Sequence, residues 1–214
     1  MSLRELKKER TRQLIADAAW RLFAERGFER VTVAEVAREA EVAEATVFNY
    51  FPTKEDLFYA RLEDFGERLV EAVAGRPAGE TALAAVRKHL LQQGGLLAQV
   101  DASDPEALER LRTVNRVIAA SPALQAREQQ AIARYADALA ALLANELRAA
   151  PDDIRPRVAA NALMAVQRTL IDYVRERVLS EIEGTHLAAD VRRLAKRGFT
   201  LLEQGLGDYA AKKE

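Results

Sequence analysis

Two stretches decide the fold: Thr32-Val33-Ala34-Glu35-Val36-Ala37, and Ala45-Thr46-Val47-Phe48-Asn49-Tyr50-Phe51-Pro52-Thr53-Lys54-Glu55-Asp56-Leu57. In the first, Thr32 stands as a helix N-cap with Glu35 three positions on. In that pairing each side chain accepts from the other residue's free backbone amide. A short helix over residues 33–40 follows, and Glu41 and Val42 form a tight turn. The second stretch has apolar side chains at helical spacing over residues 44–50. Pro52 ends that helix, because the residue before proline avoids helical geometry, and Thr53 caps the next one.

Working outward, Leu14, Ile15, Ala18, Ala19, Leu22 and Phe23 mark one face of a helix over residues 4–26, with Gly27 as its stop. After Thr53, the stripe Leu57, Phe58, Leu62, Phe65, Leu69 and Val73 predicts a helix that continues well past the compact amino-terminal unit. Breaks at residues 75–79, 101–105, 121–122, 151–153 and 184–185 divide the remainder into five longer helices. No sustained alternation points to strands. The expectation is an all-α protein of about nine helices. A three-helix helix-turn-helix domain over residues 1–55 precedes a second helical domain over residues 56–214. One long helix and two short ones separated by a tight turn are what is needed to place a helix in a major groove.

A chain of 214 residues with 49% hydrophobic and 30% charged composition buries a core without disulfides or metals, and it has no cysteine to supply either. A cytoplasmic setting is the corresponding expectation. The formal net charge of −1 excludes a surface coated in positive charge for indiscriminate nucleic-acid binding. A local basic patch, Arg4, Lys7, Lys8, Arg10 and Arg12, occupies the amino terminus. Catalysis has little support. His89 and His186 are far apart, no nucleophile elbow or phosphate loop is present, and the single Glu-x-x-His spacing, Glu183 to His186, has no second copy to complete the pair of a di-iron bundle. No metal or cofactor is expected.

The two opening stretches resemble the TetR family of bacterial transcriptional regulators over about the first 60 residues. The resemblance implies that Thr32, Tyr50 and Lys54 meet DNA phosphates. The exposed face of the second short helix would read bases through Ala43, Glu44, Ala45, Thr46 and Asn49, with Asn49 suited to adenine. Val47, Phe48 and Phe51 have the spacing of core residues, though Phe48 also matches a DNA-facing position. Arg4, Lys7 and Lys8 would follow a phosphate or enter a minor groove. Two departures stand out. Glu41 occupies a turn position that is commonly glycine, so either it takes a left-handed conformation or the turn is shaped differently. Ala43 replaces a serine or threonine cap.

For the remainder, the resemblance implies a homodimer joined through the last two helices. The candidate contacts are Leu163, Val166, Leu170, Val191, Leu194, Gly198, Leu201 and Gly205. Gly205 has the alternative reading of a helix end. A ligand pocket would draw on Phe65, Leu69, His89, Leu90, Leu97, Val114, Ile118, Tyr135, Met164, Arg168, Asp172 and Tyr173. Gly94-Gly95 would interrupt a helix and leave room for a ligand. The implied partners are double-stranded operator DNA and a small hydrophobic effector, with acyl-CoA or a lipid-like molecule as a candidate. Rival readings are a ligand-binding helical protein without DNA activity and a bundle enzyme. The first leaves residues 45–57 unexplained, and the second needs clustered catalytic groups.

Overall fold

The computed structural model describes residues 3–60, 64–92, 105–180 and 186–205. Ten helices and no strand occur among them: α1 (Leu3–Arg26), α2 (Val33–Glu39), α3 (Glu44–Tyr50), α4 (Lys54–Tyr59), α5 (Asp64–Ala74), α6 (Ala82–Leu91), α7 (Pro105–Ala119), α8 (Pro122–Leu147), α9 (Arg155–Leu179) and α10 (Leu187–Gln204). The predicted continuous fourth helix is described as α4 and α5. Leu62 between them, and Gly94, Gly95 and Leu97, lie outside the described residues.

The chain forms two compact units. Unit 1 comprises residues 1–64 together with residues 113–129, so α1–α4 are joined by a helical corner from the middle of the chain. Its core packs Ile15, Ala19, Phe23, Val36, Val47 and Phe58 against Val117, Ile118 and Leu124 of that corner. The Phe58 ring meets Phe28 edge-on at 6.2 Å between centroids. Leu14, expected on the core face of α1, is instead 52% exposed, because it falls at the edge of the stripe centred on Ile15 and Ala19.

Polar contacts fix the corner within unit 1. Tyr59 donates its hydroxyl to the Leu124 carbonyl at 2.9 Å. Ser121 donates to Glu29 while accepting from the Leu124 amide. Arg127 Nη2 donates to Asp56 Oδ1 at 3.0 Å. Val114 and Ile118, expected at a ligand pocket, therefore belong to unit 1, where Ile118 is core.

Unit 2 comprises residues 65–112 and 130–214. Its core includes Leu69 and Val73 of α5, Val86 and Leu90 of α6, Leu139 of α8, Met164 and Val174 of α9, and Val191 and Phe199 of α10. Gly66 is required where it stands: the Tyr135 ring lies over it and leaves no room for a Cβ. Among the described residues no helix is long and apolar enough to cross a membrane, and no cluster of three metal-ligating side chains occurs.

Several expected interface residues serve the core of the single chain. Leu163, Leu170 and Val191 are buried within unit 2, so a second copy cannot reach them. The inward stripe of α10 runs through Leu187, Val191, Ala195 and Phe199, which leaves Leu194, Gly198 and Leu201 half-buried beside it. Gly198 admits a close approach inside the chain, since a Cβ there would meet Val166 at 3.1 Å. Gly205 has φ +79° and caps α10, so it takes the helix-end role.

Candidate nucleic-acid interface

The turn between α2 and α3 aims the second helix. Val42 N–H donates to the Ala37 carbonyl at 2.9 Å and Glu41 N–H to Arg38 at 3.2 Å, the paired bonds of a Schellman helix end. Glu41 takes φ +55°, so it adopts the left-handed geometry that glycine holds more readily. At the start of α2 the Thr32 hydroxyl accepts from the Glu35 amide, and Glu35 Oε2 accepts from the Thr32 amide at 2.8 Å and hydroxyl at 2.9 Å. The Thr32 backbone bond, with help from Arg26, holds the Glu35 carboxyl below its ordinary value. The Thr32 hydroxyl is thus already engaged in the cap.

The α3 helix is anchored on one side and free on the other. Val47 is fully buried and Phe51, its C-cap, is 3% exposed. With those two inside, Glu44, Ala45, Phe48 and Asn49 face solvent, and Thr46 and Tyr50 are half-buried. Phe48 is 45% exposed, so the apolar spacing that groups it with the core does not hold. Ala43 caps α3 without a side-chain hydrogen bond. Glu44 in the first turn partly offsets that loss, because its negative charge sits at the positive end of the helix dipole.

Two cations stack on the aromatic core around this helix. The Arg12 guanidinium lies 5.3 Å from the centre of the Phe51 ring, and Lys54 Nζ lies 4.2 Å from that of Phe28. Lys54 is therefore held at the first turn of α4 with its charge oriented. Asp56 closes the capping box at the same helix start, accepting from the Thr53 amide at 3.1 Å. Partial desolvation works to raise its pKa, but hydrogen bonds from Thr53 and Arg127 outweigh it and leave the carboxyl below its ordinary value.

Arg4, Lys7 and Lys8 are exposed on α1, which is helical from residue 3. A helix about 10–12 Å across does not itself enter a minor groove about 6 Å wide, so any contact these cations make there runs through their side chains alone.

The expected pocket residues of unit 2 divide. Leu69, Leu90 and Met164 are core, while His89, Tyr135 and Tyr173 are half-buried. Tyr173 donates to Asp190 at 3.2 Å. Arg168 and Asp172 are 55% and 57% exposed and lie 3.9 Å apart as a surface pair, so neither lines an interior site. The position between the predicted Met164 and Arg168 that sequence reasoning missed is Gln167, which is 3% exposed. Its signal was present: Leu163, Leu170 and Val174, at helical spacing around it, are all apolar.

A capped three-helix unit with an anchored second short helix and a free outer face is the construction of a helix-turn-helix regulator. Comparisons agree with it. The profile of the bacterial regulatory proteins of the tetR family matches residues 15–60, and that of the MftR C-terminal domain matches residues 80–207. The chain belongs to the TetR family of transcriptional regulators, a non-enzymatic family of DNA-binding proteins. It is 29% identical to the HTH-type transcriptional regulator TcmR of Streptomyces glaucescens over 78% of this chain and 74% of that protein. It is 32% identical to the nucleoid occlusion factor SlmA of Pasteurella multocida, over 58% of this chain and only 60% of that protein's length. Among solved structures, NalD of Pseudomonas aeruginosa, secondary repressor of a multidrug efflux pump, superposes with a TM-score of 0.59. The identity is 23%, over 90% of this chain and 96% of that one. A complex of SmeT with triclosan gives 0.58 at 20% identity, over 89% and 90% of the two chains.

Proposed function

We propose that this regulator is a repressor that binds a palindromic operator as a homodimer and is released by a small hydrophobic effector. The observation that carries the DNA reading is the division of α3: Val47 and Phe51 are buried while Glu44, Ala45, Phe48 and Asn49 are exposed. Asn49 reads a base, and Tyr50, Lys54 and the α1 cations position the protein on phosphates. Repression is supported by likeness to NalD, described as a repressor.

Dimerisation is supported by the outer face of α9. Val158, Ala162, Ala165 and Thr169 line the side away from the buried stripe, and all are small or β-branched. Such a face, flanked by Leu194 and Leu201 of α10, lets two helices approach closely. The structure of a relative, SmeT, with triclosan supports an apolar effector. An effector releases DNA only by preferring the conformation that fits DNA badly.

A mobility-shift titration in rising salt tests the reading. Affinity falls steeply with salt, Lys54→Ala weakens binding to every operator sequence, and its salt slope is shallower by about 1. A complex indifferent to salt contradicts this account of DNA binding.

A further inference from the structure

We infer that Gln167 is the hydrogen-bonding anchor of the effector site, and that the effector is a neutral, mostly apolar molecule offering a hydroxyl or amide N–H to its side-chain carbonyl. The inference rests on unit 2 being the effector-binding unit. Gln167 is 97% removed from solvent, and its Oε1 accepts no hydrogen bond from any described residue.

Its place on α9 makes that unusual. At about 100° per residue, Met164 and Leu170 fall roughly 60° to either side of Gln167 and Leu163 and Val174 closer still, so the amide sits at the centre of the buried stripe. A glutamine at the margin of such a stripe turns its amide outward, but one at the centre cannot. Ser121, another buried polar side chain, is paired on both sides, with Glu29 and the Leu124 amide. Leaving a buried carbonyl unmade costs stability, and an apolar side chain of similar size would avoid the cost. A buried carbonyl with no partner among the described residues, at the centre of an apolar stripe, has the character of the few groups that orient a ligand in an apolar pocket.

The same environment sets the ligand's chemistry. A carboxylate or phosphate could accept from the amide nitrogen, but it would be buried among apolar side chains without a counter-charge. A cation would be buried without a counter-charge, because Arg168 and Asp172 on the next turn are exposed and paired with each other. A neutral donor is left.

The test uses the full chain and calorimetric titration with straight-chain primary alcohols, from butan-1-ol to dodecan-1-ol, against the methyl ether of each. At least one alcohol binds about tenfold more tightly than its ether, and the preference disappears in Gln167→Leu. Without ligand, Gln167→Leu melts at a higher temperature than the parent. Equal binding of alcohols and ethers, binding of no alcohol, or a lower melting temperature for Gln167→Leu overturns the assignment. The methyl-ether comparison on the parent protein stands even if the variant does not fold. Operator binding by the same preparation is measured separately: its absence counts against the regulator reading, whereas its presence beside equal alcohol and ether binding removes only the anchor.

Discussion

Arg127 and Asp56 are 71 residues apart in the chain, yet Arg127 Nη2 lies 3.0 Å from Asp56 Oδ1, and both side chains are largely shielded from water. Asp56 also caps the helix that follows α3. One carboxylate thus joins the helical corner to the start of the helix that follows α3. Removing one partner of a shielded pair leaves the other charge uncompensated. Arg127→Ala therefore destabilises the protein by about 1–3 kcal/mol, between the typical exposed and buried cases. Urea denaturation measures this, and an unchanged midpoint contradicts it.

Acid acts on the same pair. The folded-state pKa of Asp56 lies below the ordinary 3.8, so the stabilisation is present above that value and is lost as pH falls through the lower, folded-state one. Asp153, lowered to about 2 by hydrogen bonds from Arg155 two residues on, titrates in the same direction but joins no distant segment. Melting curves recorded from neutral pH down to about pH 3 show a decline that is smaller in Arg127→Ala. Parallel declines in the two proteins are the contrary result.

At the turn, Glu41 holds φ +55° without the freedom of glycine. Glu41→Gly relieves the left-handed strain and stabilises the protein by about 1 kcal/mol, raising the melting temperature by roughly 2–4 °C. Arg148, with φ +49° at the end of α8, is a second position of the same kind, and its glycine variant behaves likewise. A fall in melting temperature for both variants argues against strain at these turns.

The small outer face of α9 supports the proposed homodimer. Ala165 is exposed in the single chain, so Ala165→Arg leaves the core intact while placing a bulky charge on that face. Sedimentation is expected to show a folded monomer with operator affinity reduced at least tenfold. A variant that remains dimeric places the interface elsewhere.

What could be read from the sequence was local. Thr32 with Glu35 and Thr53 before α4 depend on neighbours a few residues away, and backbone chemistry specifies them, whereas the shape of the turn at Glu41 stayed open between two alternatives. The corner over residues 113–129 was illegible for the opposite reason. Ser121-Pro122 reads as a cap, but nothing in the spacing connects it to Glu29, Asp56 or Tyr59, and Val114 and Ile118 were accordingly assigned to a ligand pocket. On α9 the miss was one of rotation. Arg168 drew attention as a polar residue near an apolar stripe, while its neighbour Gln167, about 100° away around the helix, occupies the interior. Burial inside one chain also hid Leu163, Leu170 and Val191 from the interface they resembled. Apolar periodicity marks a face without saying what covers it.

The central claim is that α3 reads a base through Asn49 in each half of a symmetric site. Sequencing of random duplexes retained by the purified parent and by Asn49→Ala tests it most directly. The account predicts an inverted repeat for the parent, and for the variant the same repeat with preference relaxed at one position per half-site, a loss of about 1–3 kcal/mol in discrimination. Retention of unrelated sequences by the parent, or an identical preference in the two proteins, would contradict it.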